Sequence, residues 1–233
     1  MIPLRDTIRS RSFPLVNWLI VLANALVFLY ELQLAPAGLN RLFNTYGLVP
    51  AHLNFQNPFS LYPLLTHMFL HAGWLHILSN MWVLIIFGDN VEDRMGSLRY
   101  LIFYILGGFA AALLEIFFSS NPYVPSIGAS GAIAAVMGAY LIFYPGAKVL
   151  TLFLIIIIPW FIELPAFIFI GGWFLIQLFS GLLALTTTGG AAPAGGIAWW
   201  AHVGGFLFGL LLGLPFTIAR RKPNWHQDEY YPW

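Results

Sequence analysis

Residues 149–185 read VLTLFLIIIIPWFIELPAFIFIGGWFLIQLFSGLLAL, and how that run divides decides the number of membrane spans. It holds 37 mostly apolar residues, too long for one span of about 20 and too short for two with a loop. Pro159, Glu163 and Pro165 fall near its middle. An internal proline removes a helical hydrogen bond and clashes with the preceding turn. The run therefore reads as a span over 165–185, preceded by a short non-spanning or re-entrant element over 149–163.

Five further spans lie over about 15–33, 74–91, 97–118, 130–144 and 199–218, giving six in one membrane domain over 15–218. The connection at 35–72 is long, polar and aromatic, with Pro36, Gly38, Gly47, Pro50 and Pro58. Turn-rich loops occupy 119–128, with Pro122 and Pro125, and 186–196, rich in Gly and Ala. The apolar run at 13–34 follows Arg5, Arg9 and Arg11, as a signal peptide would. It exceeds a signal core and no small-residue cleavage site follows, so it reads as a retained first helix. An even number of spans leaves the tails, 1–14 and 219–233, on one side. Placing both in the cytoplasm puts Arg5, Arg9, Arg11, Arg94, Arg99, Lys148, Arg220, Arg221 and Lys222 inside and only Arg41 outside. That is the positive-inside asymmetry, and a seventh span at 149–163 would break it.

Composition sets the solvent. Hydrophobic residues make up 60% of the chain and charged ones 8%, against about 25% charged in soluble domains. So few charges cannot cover a water-facing surface. A net charge of +1, from ten scattered Lys and Arg, points to no nucleic-acid partner. Cysteine is absent, which leaves no disulfide framework and no thiolate metal site. In 233 residues the spans and loops leave no room for a second domain.

Three features stand out against this apolar background. The first is Gly128-Ala129-Ser130-Gly131, where the fourth span begins. Glycines permit the tight turn that exposes a serine hydroxyl, and a helix start supplies unpaired N–H groups that can stabilise an oxyanion. Small residues at that place also serve close helix packing. The second is His202, followed by Gly205, Gly209 and Gly213 at spacing four. At about 100° per residue, His202, Gly209 and Gly213 share one helical face and Gly205 lies about 60° from it. The face is smooth enough for a neighbouring helix, and the imidazole above it could serve as general base. A histidine bonded to the next helix is the plainer alternative. The third is THMFLHAGWLHILSN at 66–80, where His76 and Asn80 sit one turn apart and could both donate hydrogen bonds. His67, His71 and His76 have the number of ligands a zinc site wants, yet no carboxylate base of the His-Glu-x-x-His kind accompanies them. Four histidines, an asparagine and a serine thus gather at the outer ends of three spans, where buried polar groups are costly and mark function.

These stretches, in this order and at these helices, resemble the rhomboid intramembrane serine proteases, from about residue 63 to residue 213. The run VEDRMG at 91–96 is also similar to the turn between that family's second and third helices. The resemblance implies an all-α polytopic membrane protein, a six-transmembrane-helix bundle whose loop at 35–71 lies partly in the outer leaflet. It implies Ser130 as nucleophile and His202 as general base of a dyad without a third carboxylate. His76, Asn80 and the Ser130 backbone N–H would form the oxyanion hole. His71, Gly128 and Gly131 would support it, and Glu92 and Arg94 would be structural. The implied reaction is hydrolysis of peptide bonds in or near transmembrane segments of protein substrates, within membrane lipid, through an acyl-enzyme. Neither metal nor cofactor is implied. The expected setting is a bacterial cell (inner) membrane, with the site open to the outer side. One departure is visible: some members carry an aromatic ring four residues after the serine, stacked on the histidine, and here that position is Ala134. The imidazole must be oriented by something else, such as another aromatic.

Two other classes compete. A transporter would use Glu115 and Glu163 as intramembrane acids, but neither has an evident partner in the sequence and no inverted repeat is visible. A rhomboid-like protein that binds membrane clients without cutting them would usually lack the serine or the histidine, and both are here. His52 and His226 read as ordinary surface or interfacial residues.

Overall fold

The structure, a computed structural model, describes residues 1–119, 121–155, 158–186 and 198–218. The loop at 187–196 and the tail at 219–233, with Arg220, Arg221, Lys222 and His226, lie outside the described residues. The helices are α1 (Leu15–Glu31), α2 (Pro36–Tyr46), α3 (Pro63–Thr66), α4 (Trp74–Met95), α5 (Ser97–Phe118), α6 (Ser130–Phe143), α7 (Ala166–Thr186) and α8 (Trp199–Ile218). Each expected span coincides with one of α1 and α4 to α8. By length and composition α5, α7 and α8 can each cross a membrane, and α4 qualifies together with the segment 58–69, bent 83° from it. The helices α1 and α6 are apolar but shorter.

Local chemistry sets the boundaries. Gly96, at φ +82°, ends α4 in a conformation that favours glycine and starts α5 at once. The first N–H groups of α1 have no cap of their own. Glu92, buried near the end of α4, accepts from Val16 N at 3.0 Å, Asn17 N at 2.8 Å and the Ser97 hydroxyl at 2.6 Å. A carboxylate at a helix N-terminus satisfies orphan donors and faces the positive end of the dipole. The expected loop at 35–72 is more ordered than its composition suggests. It folds as α2, α3 and single 3₁₀ turns, and α2 and α3 begin on proline, whose missing N–H is not needed there.

The centre of the bundle is α6, with 11 of its 14 residues buried, so a short helix suffices: it is enclosed by neighbours. Its closest partner is α8. A Cβ on Gly205 would strike the Gly131 carbonyl oxygen, one on Gly209 that of Ala135, and one on Gly138 that of Phe206. The helix that the glycine face of α8 admits is therefore α6, and Gly205 belongs to that contact. Without a hydrophobic drive in lipid, this backbone approach is how such helices hold together.

The segment at 149–163 departs from the re-entrant expectation. Strands β2 (Lys148–Ile155) and β3 (Ile158–Pro165) form an antiparallel pair in register from Lys148↔Pro165 to Ile155↔Ile158. The N-terminal tail joins the same sheet. Its residues Ile2–Asp6 form β1 on the other edge of β2, giving the order β1-β2-β3. Consecutive β-branched residues and Pro159 oppose a helix and suit extended backbone. Two contacts orient β1: Trp82 donates to the Pro3 carbonyl, and Asn90 donates to Asp6 at 3.0 Å. Eight helical residues rise about 12 Å and three strand residues about 10 Å, so β1 runs along the flank of α4 in the same direction. Lys148 and Glu163 form an ion pair at 3.2 Å at the foot of the hairpin.

Candidate active site

The N-terminal ends of α4, α6 and α8 meet at one end of the bundle and bring the polar residues of three distant stretches together. Ser130 is the first residue of α6 and His202 lies in the first turn of α8. Ser130 Oγ and His202 Nε2 are 2.7 Å apart. That distance follows from the close α6–α8 contact one turn deeper, since both side chains project from backbones that touch at Gly131 and Gly205.

The loop entering Ser130 is strapped down. Leu48 and Ser126 exchange two backbone hydrogen bonds of 2.9 Å, and Gly128 N donates to the His67 carbonyl at 2.9 Å. Gly128 has φ +125°, and a Cβ there would lie 2.6 Å from His76 Nε2. Only glycine fits both the turn and the approach of that ring. A cleft lined by Leu48, His67, Ser126, Ile127 and Ala198 lies beside Ser130.

His76 and Asn80 sit one turn apart at the start of α4, facing Gly128. The Ala72 N–H, which can only donate, points at His76 Nδ1 at 3.4 Å, which leaves the neutral ring's proton on Nε2, facing the serine loop. Asn80 Nδ2 donates to His71 Nε2 at 3.1 Å, and the rings of His71 and His76 meet edge-on at 5.0 Å. His71 is itself placed by its backbone N–H, which donates to Glu31 at the end of α1, 3.1 Å away. The His67 ring is turned to its own segment: its Nδ1–H donates to the Pro63 carbonyl at 2.8 Å. Among the described residues no three His, Cys, Asp or Glu side chains converge as a metal would require. His52 is exposed, between α2 and α3.

Three contacts were not legible beforehand. Gln177 of α7, 6% exposed, places its Oε1 2.7 Å from His202 Nδ1. Trp173 and Trp199 flank the imidazole with centroids at 5.6 and 6.5 Å, so aromatic rings do approach it, from α7 and α8 rather than from position 134. Glu115 accepts from Ala201 N at 3.1 Å and faces the Ser126 hydroxyl at 3.5 Å, tying the start of α8 to the serine loop. Both acids that a transporter would use therefore have partners, Glu163 on Lys148 and Glu115 on α8. The signal for Gln177 was present: it is the lone amide in an otherwise apolar span, where an unpaired polar group is costly.

The helical bundle thus brings a serine hydroxyl onto an imidazole where three helices begin. The chain belongs to the rhomboid family: the Rhomboid domain model matches residues 58–218. It is 35% identical over 170 residues to RHOMBOID-like protein 6, mitochondrial, of Arabidopsis thaliana, covering 70% of this chain and 46% of that protein. To Rhomboid-like protease 5 of Toxoplasma gondii it is 29% identical over 204 residues, 83% of this chain and 21% of that one. To the bovine Presenilin-associated rhomboid-like protein, mitochondrial, it is 28% identical over 179 residues, 71% and 42%. The chain thus spans less than half the length of these relatives. All three are eukaryotic and two are named mitochondrial, so they lend no support to a bacterial inner membrane.

Proposed function

We propose that the chain is an intramembrane serine endopeptidase that hydrolyses peptide bonds in or near the transmembrane segments of membrane-protein substrates. The observation that carries this reading is the 2.7 Å contact between Ser130 Oγ and His202 Nε2. In the proposed reaction Ser130 Oγ attacks the scissile carbonyl carbon while its proton passes to His202 Nε2. His76 Nε2–H, Asn80 Nδ2–H and the Ser130 N–H stabilise the oxyanion of the tetrahedral intermediate. Collapse returns the proton from His202 to the leaving amine and leaves an acyl-enzyme. Water, activated by the same imidazole, then attacks the ester and releases the acid. The distribution of Lys and Arg supports both termini on the cytoplasmic side and the site toward the opposite one.

The test is fluorophosphonate labelling of the parent, Ser130→Ala and His202→Ala in detergent, followed by cleavage of a transmembrane model substrate in liposomes. Both variants should lose labelling, with cleavage falling by at least about 10⁴-fold. Asn80→Ala should retain labelling but lose about 10²- to 10³-fold in kcat. A folded parent that neither labels nor cleaves would leave the client-binding reading in its place. Proton-coupled flux insensitive to Ser130→Ala would favour the transporter.

A further inference from the structure

We propose that Gln177 is a positioning residue, whose side-chain carbonyl holds the His202 imidazole with its proton on Nδ1 and leaves Nε2 bare toward Ser130. The inference rests on the reading of Ser130 and His202 as nucleophile and base. A neutral imidazole carries one proton, and only the form with a free Nε2 can accept one from the serine. The amide could in principle face either way, and its second contact decides. Gln177 Nε2 lies 3.4 Å from the Trp173 carbonyl one turn earlier in α7, an oxygen that can only accept. The amino end must face Trp173, so the carbonyl end faces His202 Nδ1 at 2.7 Å. Turned over, the amide would set oxygen against oxygen at Trp173 and drive the imidazole proton onto Nε2, where it could only donate to Ser130.

The surroundings leave Gln177 this part alone. The nearby acid, Glu115, is engaged with Ala201 N and Ser126 rather than with the ring. The tryptophan rings restrict the plane of the imidazole but cannot choose between its nitrogens. Gln177 is also buried in an apolar span, where two polar ends must each find a partner. A neutral amide fixes the proton without supplying a charge to the imidazolium. A carboxylate at the same place would do both.

The experiment compares the full chain in detergent with Gln177→Leu and Gln177→Glu, by steady-state cleavage of a transmembrane model substrate across pH and by ¹⁵N spectra of labelled histidine. Gln177→Leu should lower kcat by roughly 10- to 100-fold with KM nearly unchanged. Gln177→Glu should stay active and move the acidic limb of the kcat/KM profile upward by about one pH unit or more, because a carboxylate favours the charged ring. A residue that merely packs would leave that profile where it was. Gln177→Leu turning over like the parent, or Gln177→Glu sharing the parent's pH profile, overturns the proposal. In the parent spectrum the resonances lost in His202→Ala should be those of a ring protonated at Nδ1 alone. A ring protonated at Nε2 overturns the proposal whether or not anything is cleaved. An Nδ1-protonated ring in a parent that neither labels nor cleaves supports the positioning role while removing the protease reading.

Discussion

Between α6 and α8 the backbones themselves touch, at Gly131 against Gly205, Ala135 against Gly209 and Gly138 against Phe206. Between α7 and α8 the contacts run through side chains: Phe174 stacks on Phe206 at 4.4 Å, Trp173 approaches His202, and Gln177 reaches across. The environments match this difference. Eleven of 14 residues are buried in α6 but five of 21 in α7, so α6 is held on all sides while most of α7 faces outward. Backbone contact sets a distance that no rotamer change can relax. Side-chain contact sets an orientation that one substitution can remove. Ser130 and His202 thus ride on a pair that cannot drift apart, while Gln177 reaches His202 from a less tightly held helix.

The comparison breaks most directly at Gly205. Gly205→Ala should force α6 and α8 apart and destabilise the fold by about 3 kcal/mol, the upper range for overpacking. Thermal unfolding and fluorophosphonate labelling in detergent should both register it, and an unchanged melting midpoint would show that the helices are not in backbone contact.

A smaller effect is expected at the other end of α6, which has a side-chain fastening as well. Tyr140 donates to Asp6 of β1, and Asn90 of α4 donates to both Asp6 and Asp89. Burial pushes the Asp6 carboxyl up from 3.8 to about 7, against the lowering effect of the Tyr140 hydrogen bond. A raised carboxyl pKa favours the protonated form in the folded state. Its stabilisation is therefore complete below about pH 4 and is lost as pH rises through about 7. The melting midpoint of the parent should fall across that window, and Asp6→Asn should flatten the dependence. A parent whose midpoint does not move between pH 5 and 8 would place Asp6 in water.

The smallest effect is the control on α7. A Cβ at Gly171 would meet nothing within 4 Å, so Gly171→Ala should be neutral or stabilising by up to about 1 kcal/mol. A loss as large as that at Gly205 would erase the distinction between α6 and α7 as neighbours of α8.

The six helices were legible because an apolar run of span length, closed by charges or turn residues, has few other solutions. The meeting of Ser130, His202, His76 and Asn80 at one end was legible too, since alternate spans start on the same side. What escaped was pairing at a distance. Residues 149–163 are short and apolar, and periodicity cannot tell a strand from a helix in such a run. The clue lay in Thr151, Ile155, Ile158 and Ile162, whose branching suits a strand. Nothing local announces that Pro3 will stand opposite Thr151, because the register belongs to the folded chain. The role of Gln177 is hidden for a related reason. Its partner lies 25 residues on, in the next helix, and no spacing motif joins them.

The pairing of β1 with β2 also bears on the order in which the protein can be made. β1 ends at Asp6, whereas its partner strand spans Lys148–Ile155. Chains emerge at about 5–20 residues per second, so the first strand waits roughly 7–30 s while α1, α4, α5 and α6 enter the bilayer. During that interval the edge groups of β1 that face β2 remain unpaired, at the membrane surface. Assembly on that side then brings back a strand that precedes every helix of the bundle in the chain.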